Sequence, residues 1–508
     1  MSNVEASRIE SRAEPIGAVS PALVAGALIF VAAFALRLLP VFVFPAINYP
    51  DEIFQTIEPA HRVVFGTGVV PWEFVYGTRS WALPGFIAGI MEAVRVFGGG
   101  PAVYLRAIGA VFAALGAASA LCAFLWGRRL YSLWGGIVAG ALAACWLDAV
   151  YFGPRTLSEA VAAHVLVVGL YLAAPGYATR GRNRLVSAGF ALGVAALLRI
   201  QIAPAVALFV LWPWQGMAPL RQRLPPLIAG GGVAALVFGA IDAATWGWPG
   251  ESLWRNLLIN LWYGISADFG VSPWFFYLDA IAVYWGAAAV AMAVLARLGA
   301  LRLPQLAILA FVILLVHSAI GHKEFRFIYP ALLLAVISAG LGLAQLVEWI
   351  ADGLVLRGAS APVALRAAAV PMLLLAVLAP VAMAAEPPYQ EMWTRAADIV
   401  RADRVVAGLA KVCGIELYGV RWFNSGGYSL MNQRAPLYWI DNAAGFMAHR
   451  DAFNTVLASR ALPEQSGFAT IRCFGTVCVA RRPGPCAALP TAATEVPPGL
   501  DRVAPLRP

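Results

Sequence analysis

Two short stretches gather the side chains that could do chemistry. In "NYPDEIFQ" the adjacent acids Asp51 and Glu52 follow Pro50, and in "HKEFRF" the four ionisable groups His322, Lys323, Glu324 and Arg326 fall within five positions. A carboxylate held beside a membrane surface can take a proton from an incoming hydroxyl, as a general base does. The same acids can instead serve as helix-start carboxylates facing the positive end of the helix dipole. The cations of the second stretch can grip a phosphate, Arg with a planar fork and Lys as a point charge. Their other use is to flank a membrane segment, stems in lipid and charged heads in water. No metal or cofactor is expected. Neighbouring acids rarely converge on one ion, no His/Cys zinc spacing occurs, and no Gly-rich phosphate loop or nucleophile elbow is found.

The elements that must position these groups are membrane helices. Of 508 residues 61% are hydrophobic and 12% charged, with 17 Trp. Apolar runs occupy 21–44, 101–126, 133–151, 158–174, 185–200, 201–214, 227–246, 276–296, 303–320, 328–350 and 366–385. Runs of this length make the chain a polytopic α-helical membrane protein. The net charge of +9 comes from 34 Arg and two Lys scattered between those runs, which fits membrane topology and no nucleic-acid partner. Residues 1–20 read as a cytoplasmic tail leading into an anchor rather than as a cleaved signal. The segment 81–97, with Glu92 and Arg95, is short for a span. Treated as an interfacial helix, it leaves Arg128/Arg129, Arg180/Arg182/Arg184, Arg221/Arg223, Arg297/Arg302 and Arg357/Arg366 on the cytoplasmic side. About eleven spans follow, over residues 21–385, with the C-terminus outside.

That topology sends loops 45–100, 247–275 and 321–328 to the outer face of a plasma (inner) membrane, together with residues 386–508. Arg199 and Gln201 lie at another outer junction, where they could join a phosphate site or snorkel. The aromatic-rich segment that starts at residue 247 and includes Trp274 and Tyr277 suits either an interfacial belt or a wall on which a sugar stacks. Asp148, Asp242 and His164 stand isolated among apolar residues, without an assignable role. Residues 386–508, with short β-like runs between glycines, are expected to form a small α/β domain outside the membrane. Cys413, Cys473, Cys478 and Cys486 could form two disulfides there, in any of three connectivities, while Cys122 and Cys145 read as packing residues. A lipid-linked sugar transporter or a polyprenyl-phosphate binding protein would use a similar lipid site. It should show broken spans in repeated halves, which the sequence lacks.

Three stretches carry a resemblance: Pro50 to Trp81, Asn256 to Leu278, and His322 to Phe327. With them the chain resembles the glycosyltransferase family 22 mannosyltransferases of N-glycan and GPI-anchor assembly, within the GT-C superfamily. The resemblance implies a GT-C transmembrane bundle and an inverting transfer of mannose from a polyprenyl-phosphate donor to a glycan or glycolipid acceptor. Asp51 would be the base and Glu52 its assistant. His322, Lys323, Arg326 and Arg199 would hold the donor phosphate. Glu58, His61, Trp72, Glu73, Arg79, Trp274, Tyr277 and Glu324 would line the substrate pocket. Ser272 stands where the family often has His, which bears on the acceptor pocket and the sugar. The Arg- and Ala-rich composition fits a bacterial member.

Overall fold

The computed structural model describes residues 20–174 and 181–489. The expected N-terminal tail, up to residue 19, and Arg180 lie outside the described residues. Every apolar run is helical, but the helices are unequal. Among the described residues five are long and apolar enough to cross a membrane: Pro21–Phe42, Pro101–Leu130, Leu220–Trp246, Phe325–Leu356 and Ala361–Met383. Leu133–Cys145, Ser158–Ala173 and Pro304–Ser318 are apolar and shorter. The run read as one span at 276–296 is corrected to two helices, Phe276–Trp285 and Ala288–Gly299, bent by 106°. Gly286, with φ of 53°, ends the first of them in a conformation that side chains resist. The segment 81–97 is a helix over Ala82–Val96, with Glu92 and Arg95 paired on its exposed side.

The Phe325–Leu356 helix is the axis of the bundle: 89% of its apolar window is buried, against 17% for Pro21–Phe42. Lipid removes the hydrophobic drive between helices, so small residues must let backbones approach. A Cβ on Gly230 would stand 1.9 Å from the Val186 carbonyl, and one on Gly342 would stand 1.9 Å from that of Leu295. Breaks in apolar helices leave carbonyls that lipid cannot satisfy. At Trp146, where one helix ends and Leu147–Phe152 begins, Arg37 donates to the carbonyls of Ala143 and Ala144 at 3.1 and 3.2 Å. The isolated polar groups are cross-ties of the same kind. Asp148 accepts from the indoles of Trp146 and Trp285 and from the Tyr389 hydroxyl. His164 sits between the hydroxyls of Ser119 and Tyr329, and Asp242 accepts from Ser252.

The C-terminal unit is built on a five-stranded sheet in the order β2-β1-β3-β5-β4. Its strands are β1 Ile415–Tyr418, β2 Leu437–Tyr438, β3 Thr455–Ala458, β4 Ala469–Phe474 and β5 Val477–Arg481. Parallel pairing of β1 with β2 and β3 gives way to antiparallel pairing through β5 and β4. The amphipathic helix Ala397–Ala407 turns Val400, Ala402 and Val406 inward. Cys413 pairs with Cys486, and Cys473 with Cys478 across the β4–β5 hairpin, which resolves the connectivity.

Candidate active site

Residues 51–65 form one continuous helix, with a π-helical turn over Ile53–Ile57. Pro50 sets its entry, and the Pro50 carbonyl receives the amides of Ile53 and Phe54. Gly66, at φ of 79°, stops the helix, and the chain returns through a short helical turn, Trp72–Val75, towards Arg79. Between helix, return and membrane bundle lies a cavity of about 730 Å³. Asp51, Gln55, Trp72, Glu73 and Arg79 line it from the first stretch. Arg199 lines it from an extended break between helices, and His322, Glu324 and Arg326 line it from the second stretch. Trp72 and Phe269 stack at one wall.

Arg326 is the hub of the site. Its Nη2 donates to Asp51 Oδ2 at 2.5 Å, its Nη1 to Glu159 Oε1 at 3.0 Å, and its Nε to Glu324 Oε2 at 2.8 Å. Nη2 also reaches Glu324 Oε1 at 2.9 Å. Of five N–H groups this leaves one, on Nη1, without a carboxylate. Glu159, in the first turn of Ser158–Ala173, was not singled out from the sequence. An acid at the head of an otherwise apolar helix was the available signal.

The ionisation of the loop groups follows from these neighbours. Burial pushes the Glu73 carboxyl up to about 7, with the charge of Asp51 adding to the shift and Arg79 opposing it. Glu73 Oε1 accepts from the Gln55 amide at 2.8 Å, one helical turn beyond Asp51. Burial also raises Glu324, but Arg326 and His322 outweigh it and hold the carboxyl well below its usual range. The hydrogen bond with Glu324 raises His322, whose Nδ1 faces the Gly270 carbonyl at 3.0 Å.

Two arginines lining the cavity, Arg199 buried and Arg79 half-buried, remain underused. The Nε atoms of Arg79 and Arg199 have no hydrogen-bond partner among the described residues. Arg199 lies 3.7 Å from Glu159 and over the Phe327 ring. Polar groups buried without partners carry a desolvation cost that an incoming anion can relieve.

Several expected site residues lie elsewhere. Glu52 pairs with Arg155 at 3.0 Å, behind the helix and off the cavity; burial raises its carboxyl and Arg155 opposes that shift. Lys323 is spent on backbone, its ammonium donating to the carbonyls of Ser272, Ile320 and Gly321. Glu58 and His61 face the C-terminal unit, where His61 Nε2 lies 3.1 Å from Asn432 Oδ1. Trp274 is 69% exposed and Tyr277 is buried, and neither borders the cavity.

Comparison with known proteins comes out consistently. The model of the Alg9-like mannosyltransferase family matches residues 28–416. The chain is 29% identical over 327 residues to the GPI alpha-1,2-mannosyltransferase 3 of Mus musculus, across 62% of this chain and 58% of that one. It is 27% identical over 339 residues to the mannosyltransferase APTG1 of Arabidopsis thaliana, across 63% and 59%. It therefore spans less than two thirds of the length of these relatives. In fold it is similar to ArnT from Cupriavidus metallidurans, crystallised bound to undecaprenyl phosphate. The TM-score is 0.57 at 14% identity, over 90% of this chain and 97% of that one.

Proposed function

The chain belongs to the Alg9-like mannosyltransferase family, and from that premise we propose that it moves a mannosyl group from a polyprenyl-phosphate donor to a hydroxyl of a glycan or glycolipid. The observation that carries the reading is the placement of one carboxylate, Asp51, opposite two underused arginines in a single cavity. Asp51 Oδ2 is fixed by Arg326, while Oδ1 has no hydrogen bond among the described residues. An acceptor hydroxyl delivered to Oδ1 loses its proton there as its oxygen bonds to the anomeric carbon. The bond from that carbon to the phosphate oxygen breaks with its electron pair, and phosphate departs as a stable anion. Backside displacement inverts the configuration at that carbon.

Arg79 and Arg199 are the phosphate ligands in this scheme, because their guanidinium groups keep donors in hand. Arg326 holds the base and is committed to carboxylates. His322 lines the same wall, but its two ring nitrogens face the Gly270 carbonyl and Glu324, so it adds positive charge there rather than a free donor. Trp72 and Phe269 supply an aromatic face suited to a sugar ring. The acceptor side, by the arginine pattern of the loops, faces away from the cytoplasm across a plasma membrane.

The test is Asp51→Asn, which keeps shape and removes the base. Transfer from a short-chain polyprenyl-phosphate mannose to mannoside acceptors should fall by ~10²-fold or more. Donor affinity should hold, and the wild-type product should be inverted. Near-normal transfer by Asp51→Asn, or retained configuration, ends the one-base account.

A further inference from the structure

The Glu58 carboxylate is fully buried, and no cation pairs with it among the described residues. Backbone amides satisfy it instead. Oε1 accepts from Val69 N at 2.9 Å and Tyr428 N at 2.8 Å, and Oε2 accepts from Ser429 N at 2.8 Å. Those amides belong to two other segments, the return limb of the first loop and the helical turn Gly427–Met431 of the C-terminal unit. Gly427, at φ of 61°, opens this helical turn, and the first-turn amides of Tyr428 and Ser429, which have no intrahelical acceptor, are the ones that meet Glu58. A Cβ on Gly427 would stand 2.7 Å from the Glu58 carboxyl, so the turn closes on Glu58 through glycine alone.

Further contacts close the joint. Tyr104 donates its hydroxyl to the Ser429 carbonyl, and Phe54 meets Trp422 edge-on at 4.9 Å. The Gly426 amide is itself held by Asp403 Oδ2 at 3.1 Å. At the start of the 51–65 helix, Arg326 and Arg155 hold Asp51 and Glu52. The helix is thus held at its start and at its middle, with Gln55 and the cavity between. Val69 and Glu73 lie four residues apart on the return limb. One carboxylate therefore fixes the spacing between the Asp51–Gln55 face and the limb that carries Glu73 and Arg79.

We propose that Glu58 is a positioning residue and that the Gly427–Met431 turn is an active-site support, so that transfer depends on the C-terminal unit being seated. The turn lies beyond residue 416, where the family match ends, so this support is not part of what the match covers. The catalytic half of the inference rests on the mannosyl-transfer reading above. The seating half does not.

The experiment compares full-length wild type, Gly427→Ala, Glu58→Gln, Glu58→Ala and the double variant Glu58→Ala/Gly427→Ala in lipid nanodiscs. Hydrogen exchange of amides 51–65 reads the seating, and single-turnover transfer with titrated donor separates rate from affinity. Gly427→Ala should speed exchange across 51–65 and cut the transfer rate at least 10-fold, leaving donor affinity within about 3-fold. Glu58→Gln, which presents an NH₂ to amide donors, should do the same if Gly427→Ala fails to fold. In the Glu58→Ala background Gly427→Ala should add less than it does alone: the strain of alanine at φ of 61° remains, but the carboxyl it strikes is gone. Unchanged exchange at 51–65 in all three single variants overturns the seating. Faster exchange with an unchanged transfer rate overturns the positioning role, as do fully additive effects. Wild type that shows the exchange pattern but no mannosyl transfer would count against the proposed reaction and leave the seating standing.

Discussion

Arg326→Ala separates two uses of the "HKEFRF" stretch. An arginine that grips donor phosphate should cost affinity when removed and little else. The structure instead engages Arg326 with three carboxylates, so its removal should cost stability first. The three pairs are not equal. The side chains of Asp51 and Glu324 are 32% and 31% exposed, so solvent screens much of those interactions. Glu159, at 1%, is screened by nothing but protein. Removing one partner of a buried pair costs ~3–5 kcal/mol, because the other charge is left uncompensated. Arg199 stands 3.7 Å from Glu159 and offsets part of that loss, which places the expectation at the lower end, about 3 kcal/mol. Thermal unfolding followed by tryptophan fluorescence in nanodiscs should show a clear drop in midpoint. Transfer should fall too, since Asp51 loses its tether. Arg326→Lys should recover less than half of the midpoint, because one ammonium cannot bridge three carboxylates in a plane. Donor affinity, by titration, should change less than 3-fold in the fraction that folds. An unchanged midpoint together with a 10-fold weaker donor would refute this account and return Arg326 to the phosphate.

Arg79→Ala and Arg199→Ala should each weaken donor binding by about 10- to 100-fold, the scale of one charge-assisted hydrogen bond, at ~1.5–3 kcal/mol; equilibrium titration with a polyprenyl-phosphate analogue measures it, and unchanged affinity in both would move the phosphate elsewhere. Glu73, with its carboxyl pushed up to about 7 from 4.5, keeps in the folded state a proton that the unfolded chain has released. Its stabilising contribution is therefore full below pH 4.5 and is lost as pH rises through about 7. The unfolding midpoint of wild type relative to Glu73→Gln should fall across that window, and a flat difference would show that Glu73 is not perturbed. The disulfides should differ in weight. The 73-residue separation of Cys413 and Cys486 constrains the unfolded chain by about 4 kcal/mol, and the 5-residue separation of Cys473 and Cys478 by about 2 kcal/mol. Paired Ser replacements should lower the midpoint of the C-terminal unit in that order.

What the sequence made legible was chemistry by type, and what it hid was pairing. The apolar runs specify helices because lipid leaves the backbone no other partner, so the bundle could be read directly. The bend at Gly286 could not, since a glycine inside an apolar run is tolerated as often as it breaks one. The clustering of Asp51 and Arg326 in two charged stretches was visible, yet their contact joins positions 275 residues apart, and no local pattern encodes that. Glu159 escaped notice for the same reason. Lys323 looked like a phosphate ligand because a lysine among apolar residues suggests function. It fills a simpler need, the carbonyls of Ser272, Ile320 and Gly321 beside a helix end. Glu58, which the resemblance put in the pocket, shows why even helical spacing could not have placed it. Seven residues is two turns of an α-helix, so spacing alone puts Glu58 under Asp51, on the cavity face. The π-helical turn at Ile53–Ile57 lies between them and shifts the phase, which lets Asp51 face the cavity while Glu58 faces the C-terminal unit. A residue count assumes a constant helical period. Where a helix must serve two partners at once, that assumption fails.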